Sequence, residues 1–160
     1  MSTLGIAANP RTEREWKKLP STEYPFSTSA TTSVNADRHR IYQALTEPEY
    51  VEAWFSAPGA LAGSTAVFSQ ENSLSIRYFC TPQQQFRILC SYQVRRRSKL
   101  VFTWQHFLYA EATSSVVKIR LHGDFGRTIV HVTHVGLTQS EQELYECLWV
   151  SSLRKLSKLF

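Results

Sequence analysis

Between Thr65 and Leu137 apolar and polar residues alternate with a period of two, as half-buried strands require. Short polar stretches cut the alternation into six strands, at about 65–70, 74–80, 86–96, 99–107, 114–122 and 127–136. The connections are too short for crossover helices, so neighbouring strands pair antiparallel. Ile88, Cys90, Tyr92 and Val94 oppose Arg87, Ser91, Gln93 and Arg95, and Val117, Ile119 and Leu121 oppose Lys118, Arg120 and His122. One face of the sheet is therefore apolar and the other is wet.

A seventh strand precedes these. Residues 26–34 alternate loosely and are rich in Ser and Thr, which fits a strand with one face in water. The period then changes to that of a helix. Asn35 is placed to cap a first helix carrying Ile41, Ala44 and Leu45, with Asp37 near its positive end. Thr46 and Glu49 have capping-box spacing for a second, with Pro48 in its first turn and an apolar stripe of Tyr50, Val51, Trp54 and Phe55. Pro58, Gly59 and Gly63 end that unit. After Leu137, Ser140 and Glu143 repeat the capping-box spacing ahead of a long helix with Tyr145, Trp149, Leu153, Leu156 and Phe160 on one side. Arg154, Lys155 and Lys158 suit its negative C-terminal end. A sheet with one apolar face needs a cover, and this helix is the only element long enough to supply it.

Residues 1–25 differ from the rest. They are polar, are punctuated by Pro10, Pro20 and Pro25, and allow a short helix from Arg11 to Leu19 in which only Trp16 and Leu19 can bury much. They read as an N-terminal arm, with residues 26–160 forming a single domain. The chain of 160 residues is the length of one domain, and 42% hydrophobic residues are enough for a sizeable core.

The net charge of +5 permits anionic partners, but the basic residues are scattered over turns and polar helix faces. No helix-turn-helix, zinc-finger or ribonucleoprotein motif accompanies them, so no nucleic-acid partner is expected. Cys80, Cys90 and Cys147 follow no disulfide or zinc spacing, which fits a reducing compartment. The start of the chain lacks the basic and apolar runs of a signal peptide, and the uncharged stretch 53–70 is broken by Pro58, Gly59 and Gly63. A cytoplasmic protein with no membrane partner is expected.

Common catalytic patterns are missing. There is no GxSxG elbow, no carboxylate pair on an inner strand face and no glycine-rich phosphate loop. The alternation instead turns Leu100, Phe102, Trp104 and His106 inward together with Val130, Val132 and His134. His134 there can bind a ligand oxygen or act as an acid or base, although a core histidine bonded to its neighbours is the commoner arrangement. His106, His134 and Cys90 lie on separate strands without metal-site spacing, so neither a metal nor another cofactor is expected. His39, His122 and His131 fall on polar faces.

Four segments carry a resemblance. ADRHRIYQALTEPEYVEAWF at 36–55, LVFTW at 100–104, VHVTHVGL at 130–137 and the spacing of Trp149, Leu153 and Leu156 resemble, in that order, the activator of heat-shock-protein-90 ATPase homologue-like family of the START/SRPBCC (Bet v 1-like) superfamily. The resemblance implies an α+β helix-grip fold: a curved seven-stranded antiparallel sheet around a long C-terminal helix, with two short helices after the first strand and a hydrophobic cavity between sheet and helix. Leu148 stands where the family commonly has Gly before the helix Trp and adds bulk to that gap, and Ser73–Phe79 lacks the family's paired glycines. The expected function is ligand binding without catalysis, the ligand being an apolar or amphipathic small molecule lined by Trp54, Tyr78, Tyr92, Trp104, His106, His134 and Trp149. The alternatives are a polyketide-cyclase-like enzyme using acid/base residues in the cavity, and a protein-interaction or chaperone-regulator module with a protein partner or a homodimer.

Overall fold

Strand β1 (Phe26–Val34) is followed by two helices, α1 (Arg38–Thr46) and α2 (Pro48–Trp54), before the chain enters a continuous run of hairpins. The structure, a computed structural model, describes residues 24–108 and 111–160. The hairpins are β2 (Ala66–Gln70), β3 (Ser73–Thr81), β4 (Gln84–Arg96), β5 (Lys99–Leu108), β6 (Glu111–Asp124) and β7 (Arg127–Leu137), and α3 (Gln139–Lys158) closes the domain. All seven strands form one curved antiparallel sheet in the order β1-β7-β6-β5-β4-β3-β2. Five pairings join strands adjacent in sequence, and the sixth returns β1 to β7. Helix α3 packs on β1 and β7, and α2 bridges α3 and β2, so the helices share one face of the sheet.

The alternation places the faces as expected. Leu100, Phe102, Trp104, Val117, Ile119, Leu121, Val130 and Val132 all belong to the core cluster, as do Tyr145, Leu148, Trp149, Leu153 and Leu156 from α3. Strand β4 departs from the simple pattern. A bulge between Tyr92 and Val94 puts Val94 opposite Val101 and Arg95 opposite Leu100, so beyond the bulge the two exchange faces. Arg95 thereby reaches back over the ring of Tyr92, its guanidinium carbon 4.7 Å from the ring centre.

All three helix starts differ from the expected caps. A tight turn, Ala36 N–H to Val34 O at 2.9 Å, delays α1, and Asp37 rather than Asn35 caps it by accepting from Arg40 N–H at 3.0 Å. Thr46 does not open α2, because its hydroxyl donates to Tyr42 O at 2.8 Å within α1; Glu47 takes the cap position without a side-chain bond. The capping box of α3 is Thr138 with Glu141, two residues before the expected pair. Glu141 N–H donates to Thr138 Oγ1 and Thr138 N–H to Glu141 Oε1. Where several Ser, Thr, Asp and Glu crowd a junction, spacing alone does not choose among them.

Cys80, Cys90 and Cys147 are unpaired. Among the described residues no helix is long and apolar enough to cross a membrane, and no cluster of His, Cys, Asp and Glu is arranged to hold a metal.

Trp149 and Leu153 are both 2% exposed and lie on the face of α3 that seals the core. Trp149→Ala is expected to cost about 3–5 kcal/mol and Leu153→Ala about 2–5 kcal/mol in urea unfolding. An unchanged Trp149→Ala midpoint contradicts this packing.

Candidate functional site

The sheet and α3 are separated by a layer of rings centred on Trp104. Its ring centre lies 5.4 Å from Trp149, 5.6 Å from Tyr145, 5.2 Å from His134 and 6.4 Å from both Phe55 and Phe102. These neighbours come from α3, from β7, from the C-terminus of α2 and from β5 itself. Beside Trp104 lies a small internal cavity of about 20 Å³, lined mainly by Trp54, Phe55, Cys90, Tyr92, Trp104 and Trp149. It holds one water-sized body at most. Leu148, fully buried on α3, belongs to the same core and helps to fill the gap between helix and sheet.

Among the seven residues expected to line a pocket, Trp54, Tyr92, Trp104 and Trp149 surround this cavity. Tyr78, His106 and His134 are buried but do not line it. They belong to two hydrogen-bonded chains in the ring layer. In the first, His106 bridges two tyrosines, with Tyr78 Oη 2.7 Å from Nε2 and Tyr145 Oη 2.8 Å from Nδ1. Burial pushes the His106 pKa down to about 4, so the ring is neutral at physiological pH. A neutral imidazole donates from one nitrogen and accepts at the other, so one tyrosine hydroxyl donates to it and the other accepts.

In the second chain Trp149 Nε1–H donates to His134 Nδ1 at 3.1 Å, and His134 Nε2 lies 2.6 Å from Ser115 Oγ. Because Nδ1 accepts, the proton of the neutral ring sits on Nε2 and is donated to Ser115. The His134 ring also stacks on Tyr145 at 4.4 Å. Both ring nitrogens of both inward histidines are thus engaged by the fold itself. Ser115 and Tyr145 were legible as inner-face positions, but only the folded chain reveals them as hydrogen-bond partners of the histidines.

Among the described residues three buried side-chain atoms stand apart, because Trp104 Nε1, Ser114 Oγ and Glu141 Oε2 have no hydrogen-bond partner. Of these three residues only Trp104 borders the cavity. An indole N–H buried without an acceptor costs on the order of 1–3 kcal/mol, unlike that of Trp54, which donates to Ala44 O at 2.7 Å. The titratable groups on the cavity wall are Cys90 and Tyr92, and burial raises the pKa of both well above the ordinary range. The cavity is therefore apolar and uncharged, and one residue of its wall, Trp104, carries an indole N–H without an acceptor.

Outside it, an open groove of about 430 Å³ runs between the α1–α2 junction and the β2–β3 turn, past Glu47, Pro48, Gln70, Glu71 and Arg95. Leu74 and Tyr92 line both the groove and the internal cavity, so these two side chains form the wall between them.

The comparisons with known proteins agree with this architecture. A family model described as Activator of Hsp90 ATPase homolog 1-like protein matches residues 35–160. No curated protein matches the sequence. A crystal structure of a protein of Chromobacterium violaceum superposes with a TM-score of 0.72 at 15% identity, covering 84% of this chain and 97% of that one. The Aha1 dimer of Colwellia psychrerythraea superposes with a TM-score of 0.59 at 16% identity, covering 82% and 93%. DynU16, from the dynemicin biosynthetic locus, gives a TM-score of 0.61 at 21% identity over 82% of this chain, which spans 46% of that longer protein. At these identities the likeness is one of fold.

The depressed pKa of His106 sets a pH dependence. Between about 6.5, the ordinary value, and about 4 the unfolded chain binds a proton that the folded chain refuses. Stability is expected to fall through that window as pH is lowered, by on the order of 3 kcal/mol from this group. Subtracting the urea-unfolding profile of His106→Gln from that of the wild type isolates the slope, and parallel profiles contradict a buried neutral His106.

Proposed function

The chain belongs to the family of activator of Hsp90 ATPase homolog 1-like proteins, and from that premise we propose that it binds an apolar or amphipathic small molecule between the sheet and α3 without acting on it chemically. The observation that carries the reading is Trp104, which lines an apolar, ring-lined cavity and whose indole N–H is buried without an acceptor. A ligand that places a carbonyl, ether or hydroxyl oxygen there satisfies the donor, while its apolar body packs against Trp54, Tyr92 and Trp149.

The cavity of about 20 Å³ is the closed state of such a site. Small-molecule sites span about 300–1,000 Å³, so binding requires the ring layer to open. The wall shared with the outer groove supports one way in, through Leu74 and Tyr92. Tyr92 is held at its rim by Arg95 and by the edge-on ring of Phe102 at 5.8 Å. Release of those two contacts joins the groove to the cavity.

Catalysis is the weaker reading. The titratable groups on the wall are held protonated by burial, and the histidines beside it have both nitrogens engaged. A protein-interaction role has less support, because the exposed large apolar side chains of the described residues are spread over α2, the α2–β2 loop, β2, the β6–β7 turn, β7 and the α3 end of the chain.

The test is a titration with 1-anilinonaphthalene-8-sulfonate and with uncharged aromatic ketones, followed by fluorescence and native mass spectrometry. Saturable one-to-one binding is expected, weakened up to about tenfold for the ketones in Trp104→Phe, which removes the donor and keeps the ring layer. Tyr92→Ala is expected to speed association. Absence of saturable binding to both the wild type and Tyr92→Ala overturns the proposal.

A further inference from the structure

Strand pairing gathers basic residues that lie far apart in the sequence onto one end of the sheet. On the face turned away from the helices, Arg96 is opposite Lys99, Lys99 opposite Arg120, and Arg120 opposite His131, in one row across β4, β5, β6 and β7. The neighbouring rows on that face hold Val94, Val101, Lys118 and Thr133 on one side and His122 and Ile129 on the other, so they add a further lysine and no acid. Like charges directly opposite one another destabilise a sheet. Lys118 registers the crowding, because burial and the charges of Lys99 and Arg120 lower its pKa. An anionic surface laid along the row relieves that repulsion.

Beyond this row the chain ends in an exposed ring. The β6–β7 hairpin runs on past the β4–β5 turn, where Leu121 N–H donates to Ser98 O at 2.9 Å, through the pairs His122 with Ile129, Gly123 with Thr128 and Asp124 with Arg127. Those residues carry it about 10 Å further. Its turn is Phe125 and Gly126, both at positive φ, 48° and 76°. Two-residue turns of this kind favour Asn, Asp and Gly, and a bulky residue there is strained. Phe125 is nonetheless 103% exposed, so no packing offsets the strain, and Ile129 on the same hairpin is 40% exposed. Cations surround the tip. Arg97 lies in the β4–β5 turn, Arg127 follows Gly126, and a Cβ added at Gly123 would meet Arg38 Cβ at 3.5 Å. Against them stand Asp124, opposite Arg127, and Asp37, which is occupied in capping α1.

We propose that this end of the sheet docks on the surface of an anionic lipid bilayer, with Phe125 inserted among the headgroups and Arg96, Lys99, Lys118 and Arg120 set against their negative charge. A projecting apolar ring flanked by cations matches a layer that is anionic at its surface and apolar beneath. A nucleic acid fits less well, because base stacking calls for aromatic platforms within the basic groove, and no Phe, Tyr or Trp stands in the basic row or in the rows beside it. Among the described residues no helix is long and apolar enough to cross a membrane, and docking of this kind needs none.

The test is cosedimentation of the full chain with vesicles of phosphatidylcholine alone and with about 30% phosphatidylserine added. Binding to the anionic vesicles is expected to be at least tenfold tighter and to weaken as salt is raised. Lys99→Gln combined with Arg120→Gln is expected to weaken it at least tenfold, at roughly fivefold per charge. Phe125→Asn is expected to weaken it severalfold without lowering the urea-unfolding midpoint, because Asn suits the turn better than Phe. In Phe125→Trp the added indole is expected to shift its emission to the blue on anionic vesicles. Equal binding to the two kinds of vesicle, or none to either, overturns the proposal, as does anionic-vesicle binding that Phe125→Asn leaves unchanged or an unshifted Phe125→Trp emission. Capture of a single-stranded oligonucleotide by a chain that ignores anionic vesicles assigns the basic row to nucleic acid and overturns it as well.

Discussion

The indole of Trp104 is the point at which every layer of the domain meets. It stands on the central strand β5 and touches rings from α2, β7 and α3 as well as Phe102 on its own strand. A ring of this size placed mid-sheet sets the distance at which α3 can dock, because its neighbours must lie edge-on or offset rather than face to face. Trp149 and Tyr145 on α3 meet it in tilted and T-shaped geometry, and Leu148 fills the space beside them. Helix, sheet and the short α2 are thus held against one aromatic centre. The small cavity is what remains where those rings fail to interlock completely.

Six of the polar side chains in this layer are joined into two chains. Two histidines, two tyrosines, a serine and a tryptophan satisfy one another through Tyr78–His106–Tyr145 and Trp149–His134–Ser115. Such chains fix ring orientations that apolar contacts would leave free; acceptance of the Trp149 N–H at Nδ1 requires a neutral His134, and burial keeps His106 neutral. Against that background the unbonded Trp104 donor stands out, because its neighbours in the ring layer show how readily this core supplies acceptors. Among the three buried side-chain atoms left without a partner, this donor alone belongs to a residue that lines the apolar cavity, which leaves room for an acceptor from outside.

Much of this was legible in the sequence. Period-two alternation gave the six consecutive strands and the inward set on β5 and β7, because each face of the sheet meets a different solvent. The stripe on α3 followed from the same logic at helical period. Boundaries were less legible. Strands β4 and β6 extend past the alternating segments, because hairpin ends carry polar residues that resemble turns. The caps at Asp37 and Thr138 were displaced by local hydrogen bonds that spacing does not encode. The bulge at Gln93 moved Arg95 to the face of Tyr92, and a single inserted residue leaves no mark in composition. For the site, the sequence supplied the inward residues, but the division into four that line the cavity and three that brace the layer depends on depth and ring tilt.

The central claim is that the Trp104 N–H awaits an acceptor in the ring layer, and nitrogen-correlated NMR of the tryptophan indoles tests it directly. The chain has four tryptophans, so each indole N–H is a separate reporter. As an aromatic ketone is added, the Trp104 signal is expected to move downfield and saturate, while that of Trp54, already bonded to Ala44 O, changes little. A ketone that saturates the protein and leaves the Trp104 signal in place would contradict the account.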